Sequence, residues 1–166
     1  TLRTVAQSVV NQHQGQHRLN NRRRTNAHTR IMTTCGLHHH RLAILDIAGG
    51  KQPMHHDDLT LIFNGEIYNF KELRDELSKL GCHFVSSSDT EVILHAYSKW
   101  GESFLERIEG MFAFAMFDKN KRKIFIARDR AGEKPLYYYI NDQMIIFGSE
   151  LKSLLSNKRI EKKIDL

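Results

Sequence analysis

Three adjacent residues, Asn64, Gly65 and Glu66, offer the clearest combination of chemical groups in the chain, and they follow the apolar run of residues 59–63. The side-chain amide of Asn64 and the backbone N–H of Gly65 can together donate two hydrogen bonds to an oxygen that becomes negative during a reaction. Glycine also lets a substrate approach the backbone, because it has no Cβ. Asn-Gly between strand-like runs is, however, the commonest short hairpin signal, so the pair by itself predicts a turn.

Two helices are predicted after this segment, and they must help to position its three residues. Asn69 is a suitable N-cap for a helix that ends at Gly81. Ser88 and Glu91 have the spacing of a capping box and predict a second helix, which ends at Gly101. Shorter helices are predicted at residues 104–108 and 150–156.

Strands are predicted on both sides of these helices, from short apolar, β-branched or aromatic runs bounded by turn residues. They comprise residues 41–46, 59–63, 111–117, 123–127, 136–140 and 144–147. Turns at residues 118–121 and 141–142 predict that the last four strands form an antiparallel meander. Because the helices cluster between the strands instead of alternating with them, the fold class predicted is α+β.

Length and composition set limits on the class of protein. At 166 residues the chain has the length of one domain with its own core. No apolar run is long enough to cross a bilayer and no signal-peptide pattern occurs, so we expect a soluble protein. The two cysteines, Cys35 and Cys82, are too few for a disulfide framework and lack metal-site spacing. We therefore predict a cytoplasmic protein with no metal in this domain.

The first forty residues differ from the rest in charge. They hold six arginines and no acid, whereas the remaining residues carry 19 basic and 19 acidic side chains. Residues 1–37 also show no sustained period of 3.6 or 2. This Arg/His/Gln-rich segment can be a disordered basic arm centred on residues 22–24, an organelle-targeting peptide, or sequence that is not native to the domain. We favour the third interpretation and place the domain at residues 38–166.

Five blocks in order point to a family. They are His40-Arg41-Leu42, Phe63-Asn64-Gly65-Glu66-Ile67-Tyr68-Asn69, Ser88-Asp89-Thr90-Glu91, Gly110-Met111-Phe112-Ala113-Phe114-Ala115 and Arg128-Asp129-Arg130-Ala131-Gly132-Glu133-Lys134-Pro135-Leu136-Tyr137-Tyr138. From about residue 38 onwards the chain resembles the class II glutamine amidotransferase domain of asparagine synthetases. The resemblance implies an α/β/β/α sandwich of the N-terminal-nucleophile hydrolase type, which we expect to be incomplete at both ends.

The resemblance also implies a reaction. In this family an N-terminal cysteine attacks the side-chain amide of glutamine, with its own α-amino group as base. The ammonia passes to a second, synthetase domain, where ATP activates aspartate for conversion to asparagine. The implied partners are thus glutamine and a C-terminal synthetase domain, with a homodimer as a further expectation. No cofactor is implied for the present domain, whereas ATP and Mg²⁺ are expected in the missing synthetase domain.

Seven positions match the family's substrate-binding residues, and the resemblance gives each a role. Asn64 and Gly65 would form the oxyanion hole, and Arg41 would hold the α-carboxylate of glutamine. Glu66 and Asp89 would fix the substrate, Asp89 through the α-amino group. The backbone near Ile44 and Leu45 would line the same pocket. Considered singly, Arg41 is typical of a surface residue beside a strand and Asp89 of a polar helix start.

The chain also departs from the family pattern. It lacks the N-terminal Cys-Gly and the Arg-Gly-Pro-Asp segment, and Cys35 lies only six residues before Arg41, too near to be the nucleophile. Cys82 is predicted to be a small buried apolar residue. Because the N-terminal nucleophile is absent, we expect that this chain does not hydrolyse glutamine. No pyrophosphate-binding loop occurs before Leu166, so we also expect a fragment that lacks the ATP-using domain.

The same residues leave other functions open. A noncatalytic amidotransferase-like module that binds an amino acid or supports a partner domain fits the pattern, as does a relative that amidates another acceptor. Nucleic-acid binding is disfavoured, because only the arginine-rich segment suggests it. Of the remaining blocks, residues 128–138 are predicted to form a structural corner and residues 110–115 a core strand.

Overall fold

The computed structural model describes residues 51–142 and 144–160, together with the backbone of two strands in the first forty residues. The strands are β1 Thr4–Val9, β2 Thr34–His39, β3 Met54–His56, β4 Leu59–Ile67, β5 Gly110–Asp118, β6 Lys123–Arg128, β7 Tyr137–Ile140 and β8 Ile145–Gly148. The helices are α1 Phe70–Lys79, α2 Asp89–Trp100 and α3 Leu151–Leu155, with a 3-10 helix at Gly101–Glu106. None of the helices in this described part of the chain is long and apolar enough to span a membrane.

The strands form two four-stranded antiparallel sheets. The first sheet has the order β3-β4-β5-β6 and the second has the order β2-β1-β8-β7. The predicted pairs β5–β6 and β7–β8 are present, but the prediction of one continuous meander is wrong, because β6 and β7 lie in different sheets.

A hydrogen-bonded corner after β6 explains this change of sheet. The carboxylate of Asp129 accepts hydrogen bonds from the backbone N–H groups of Phe112, Glu133 and Lys134, at 3.2, 2.9 and 3.0 Å. The Arg128 side chain donates to the Lys134 carbonyl at 2.6 Å and to the carbonyl of Gly132, whose φ is +70°. These bonds confirm that the block has a structural role, and they turn the chain towards the second sheet.

Three hydrophobic clusters show how the layers are stacked. The largest lies between the first sheet and helices α1 and α2, with Leu61, Leu77 and Ile93 fully buried. A second cluster, which includes Ile62 and Phe147, lies between the two sheets. The third lies between the second sheet and α3. The order helix, sheet, sheet, helix confirms the α+β class and the α/β/β/α sandwich.

The two longer helices begin and end close to the predicted residues, but their capping differs. Asn69 precedes α1, yet its side chain binds the loop before β5 instead of the helix, donating to the Arg107 carbonyl at 2.8 Å. Ser88 caps α2 by accepting from the Thr90 N–H at 3.1 Å. Glu91 does not complete the capping box, because it accepts from the N–H groups of residues 85 and 86.

The surroundings of Glu91 explain why it is tolerated in the interior. Burial raises the pKa of Glu91, but hydrogen bonds from Ser86 and Val85 outweigh the burial, so that the pKa lies below its usual value. A buried carboxylate that is satisfied in this way stays ionised and ties the loop before α2 to the helix. The predicted helix at residues 104–108 is replaced by the 3-10 helix Gly101–Glu106, which buries Phe104 completely.

Strands β1 and β2 lie in the segment for which we predicted no regular structure. They pair with each other, and β1 also pairs with β8, with Ala6 opposite Phe147. Neither six-residue strand alternates between apolar and polar residues, so the local pattern gave no strand signal. Strand β8, the second partner of β1, is more than a hundred residues away from it in sequence. The non-native origin proposed for residues 1–37 stays a prediction.

Candidate functional site

The structure places Asn64, Gly65 and Glu66 inside a strand and not in a turn. Strand β4 continues to Ile67, four residues beyond the predicted end. The three residues stand opposite Ala113, Phe112 and Met111 of β5. The hairpin interpretation of the Asn-Gly pair is therefore wrong, since nine consecutive pairings with β5 hold this segment extended.

Gly65 is required by the packing of the two strands. Its φ is +154°, and a Cβ at this position would lie 2.1 Å from the Met111 carbonyl oxygen and 2.7 Å from the Phe112 Cα. Gly110 has a similar constraint, because its Cβ would lie 2.1 Å from the Glu66 carbonyl oxygen. These contacts give a reason for glycine that does not depend on a substrate.

The edge of β4 away from β5 is covered only in part by described residues. Strand β3 pairs with β4 at residues 59–61. Beyond it, the Phe63 N–H donates to Gln52 Oε1 at 2.6 Å and the Ile67 N–H donates to Asp89 Oδ2 at 3.1 Å. Because backbone N–H groups point to alternate sides along a strand, the Gly65 N–H lies on this same edge, between two N–H groups that have side-chain acceptors.

Asn64 lies on the face of β4 that is directed towards the second sheet. Ile62, two residues earlier on the same face, belongs to the cluster between the sheets. Asn64 lines a shallow cavity between the two sheets that is open to solvent. The rest of the lining comes from both sheets and from the Pro135-Leu136 segment, and most of it is apolar. A polar residue thus stands in the wall of a mostly apolar cavity, one residue before Gly65.

Asp89 connects the start of α2 to β4. It is the first residue of the helix and is only 5% exposed, and its carboxylate accepts the bond from Ile67 described above. A helix N-terminus stabilises a negative charge, because unpaired N–H groups and the helix dipole point towards it. Glu66, by contrast, is exposed, and it lies one residue beyond Gly65. The structure thus brings Asp89 to the strand that holds Asn64, Gly65 and Glu66.

Three of the predicted site residues, Arg41, Ile44 and Leu45, lie outside the described residues. The backbone of Cys35 lies in β2, opposite Ser8. Cys82 is 8% exposed and belongs to the cluster on the helix side of the first sheet, which confirms its predicted role as a small buried residue. It is therefore on the opposite side of the sheet from the cavity.

Two features of the site were missed by sequence reasoning. One is Gln52, which no local sequence pattern singled out. The other is that the corner after β6 forms part of the cavity wall through Pro135 and Leu136. Burial raises the pKa of Asp129, but backbone hydrogen bonds from Lys134, Glu133 and Phe112 outweigh it and hold the pKa below its usual value. This ionised carboxylate fixes the corner that supports the wall.

Comparison with known families decides the classification. A family model described as a glutamine amidotransferase domain matches residues 4–166, which is nearly the whole chain. The chain belongs to the glutamine amidotransferase domain family. The match begins at residue 4, where β1 begins, and so includes most of residues 1–37, which the composition predicts to lie outside the domain.

Curated relatives of this amidotransferase domain are named as glutamine-hydrolysing asparagine synthetases. Asparagine synthetase 3 of Bacillus subtilis is 44% identical over 131 residues, which is 76% of this chain and 21% of the relative. Asparagine synthetase 1 of the same bacterium is 49% identical over 118 residues, 69% of this chain and 18% of the relative. The Zea mays enzyme is 43% identical over 124 residues, 72% of this chain and 21% of the relative. The chain thus spans about a fifth of the length of these relatives.

A solved structure shows the same fold. Glutamine phosphoribosylpyrophosphate amidotransferase from B. subtilis superposes with a TM-score of 0.54 at 26% identity, covering 62% of this chain and 25% of that one. This likeness to an amidotransferase that is not an asparagine synthetase gives separate support for the sandwich fold of the domain.

Proposed function

We propose that this amidotransferase domain binds glutamine, with the side-chain carbonyl oxygen of the ligand at the edge of β4 that faces away from β5. The position of the Gly65 N–H is the observation that carries the proposal. By strand alternation it faces the edge between two N–H groups that have acceptors, and the preceding residue, Asn64, lines the cavity. An oxygen at this point accepts from both donors, as a tetrahedral intermediate of amide hydrolysis requires.

The remaining predicted residues suit the two charged ends of the amino acid. Asp89 would bind the α-amino group, and its place at a helix N-terminus suits a negatively charged carboxylate. Arg41 would bind the α-carboxylate, for which the planar guanidinium offers two parallel donors. The backbone of Ile44 and Leu45 and the exposed carboxylate of Glu66 complete the proposed pocket.

The reaction that we propose for this pocket, when a nucleophile is supplied, is hydrolysis of glutamine to glutamate and ammonia. That the chain as given does not itself hydrolyse glutamine stays a prediction. The curated relatives are named as asparagine synthetases, so we propose that the ammonia serves asparagine synthesis. That step would take place in a synthetase domain that uses ATP and Mg²⁺ to activate aspartate. A cytoplasmic location and a homodimer remain predictions. The nucleophile is not among the side chains that the structure describes, since Cys82 faces the helices. Binding is therefore a better first test than turnover.

Calorimetry with L-glutamine tests the pocket, with Asp89→Asn as the main variant. The amide oxygen of Asn can still accept from the Ile67 N–H, so the change removes charge and keeps the contact with β4. We expect affinity to fall about tenfold or more, the usual effect of removing a charged hydrogen-bond partner. Asp118→Asn is the matched control, because Asp118 is also buried and lies at the other end of the same strand pair.

The outcomes separate the candidate functions. Equal loss of affinity in both variants would show a general effect on folding and remove Asp89 from the pocket. No measurable binding to the unmodified chain would favour the noncatalytic scaffold. Binding that survives in Asp118→Asn and weakens in Asp89→Asn supports the glutamine pocket.

A further inference from the structure

Gln52 stands where the pairing of β3 with β4 would otherwise have continued. In an antiparallel pair, the register Met54 opposite Leu61 places residue 52 opposite Phe63 at the next step. The Phe63 N–H is bonded at this step by the side-chain oxygen of Gln52, at 2.6 Å, and β3 begins only at Met54. The side chain thus replaces the backbone acceptor that a longer β3 would have supplied.

This replacement has two consequences for the edge of β4. The first is that the Phe63 N–H keeps an acceptor at a residue that is 4% exposed, where an unpaired N–H would be costly. The second is that the described backbone of β3 goes no further along the edge. The next N–H on that edge belongs to Gly65, and a β3 strand continued by backbone pairing would run beside it.

We propose that Gln52 is a positioning residue for the oxyanion donor, and this inference rests on the glutamine pocket proposed above. Its side chain takes the place of the next backbone acceptor of the β3–β4 ladder, one step before Gly65, and fixes the strand at Phe63. Asp89 fixes the strand at Ile67 on the other side. The two acceptors hold β4 on either side of the Gly65 N–H, and Gln52 acts on the ligand only through this strand.

The effect should be visible in the amide spectrum of the full chain. Gln52→Met removes the acceptor and keeps a side chain of similar length, whereas Gln52→Glu retains an acceptor oxygen. Thr60→Val is the matched control, because it removes the 3.0 Å bond between His55 Nδ1 and Thr60 Oγ1 on the same two strands. The measured quantities are the exchange rate of the Phe63 amide and the shift of the Gly65 amide when L-glutamine is added to saturation.

We expect Gln52→Met to raise the Phe63 exchange rate about tenfold, as follows from losing one buried hydrogen bond. The response of Gly65 to glutamine should be largely lost in this variant. Gln52→Glu and Thr60→Val should keep both properties of the unmodified chain. A variant with fast Phe63 exchange and an unchanged Gly65 response would overturn the inference, because Gln52 would then serve stability alone.

Two measurements on the unmodified chain keep the inference testable if Gln52→Met does not fold. A scalar coupling across the hydrogen bond, between the Phe63 amide nitrogen and the Gln52 side-chain carbonyl carbon, is expected, and its absence would overturn the inference. A Gly65 amide that does not respond to glutamine in the unmodified chain would refute the proposed pocket itself, and with it the role given to Gln52.

Discussion

Replacement of Gly65 by alanine should destabilise the protein through two separable effects. The residue has a φ of +154°, which is unfavourable for any side chain, and the added Cβ would lie 2.1 Å from the Met111 carbonyl oxygen. The clash is with backbone of β5, so no side-chain rotation can relieve it. Strands β4 and β5 would have to move apart at the point where the candidate site lies.

Two other glycines isolate the two effects. Gly81 has a φ of +85° with no atom within 4 Å of a Cβ, so Gly81→Ala should lose about 1 kcal/mol from backbone strain alone. Gly110 is not in the positive-φ region, but its Cβ would lie 2.1 Å from the Glu66 carbonyl oxygen. Gly110→Ala should therefore lose about 1–3 kcal/mol from the steric conflict. Gly65→Ala combines both conditions and should lose about 2–4 kcal/mol.

Urea denaturation followed by circular dichroism measures these differences. A small domain has about 5–15 kcal/mol of stability, so all three variants should remain folded in buffer. The dependence on urea should keep its slope, because the same surface is exposed on unfolding. If Gly65→Ala were no less stable than Gly81→Ala, the close approach of β4 and β5 would be refuted.

Three further predictions concern other parts of the molecule. Burial lowers the pKa of His95, and the nearby His56 lowers it further, by a smaller amount. The unfolded chain therefore binds the proton more readily than the folded chain. The free energy of unfolding should fall as the pH drops below about 6.5. His95→Phe should flatten that part of a stability profile measured between pH 7 and 5, and an unchanged slope would contradict the assignment. Asp129→Asn should lower the free energy of unfolding by about 2–3 kcal/mol, because one amide oxygen cannot replace two carboxylate oxygens for three N–H donors. Asp142→Asn, which changes an exposed carboxylate, is the control for Asp129→Asn in urea denaturation. An equal loss of stability in the two variants would contradict the role of Asp129 in holding the corner after β6. Arg41→Ala should abolish glutamine binding in calorimetry, and retained affinity would exclude Arg41 from the pocket.

The helices could be predicted because their signals are local. Ser88 and Gly101 mark the two ends of α2, and the structure has the helix between them. The sheet assignment of β7 could not be predicted, because it depends on the hydrogen bonds of Asp129 to Phe112, residues that are distant along the chain. The strands β1 and β2 were missed for the same reason, since β1 pairs with β8.

The candidate site was predicted in part. The residue types of Asn64 and Gly65 suggested two donors, but a turn was the local expectation, and long-range pairing with β5 decided the conformation. The role proposed for Gln52 has no sequence signal, because it depends on where β3 stops relative to β4. Residues whose function arises from the register between strands are invisible to periodicity and motif reasoning.

A crystal structure of the chain with bound L-glutamine would test the central claim most directly. The account predicts that the side-chain carbonyl oxygen of glutamine lies within hydrogen-bonding distance of both Asn64 Nδ2 and the Gly65 N–H. It also predicts that the α-amino group lies against Asp89. Glutamine bound elsewhere, or bound in this cavity with its carbonyl oxygen directed away from the β4 edge, would contradict the account.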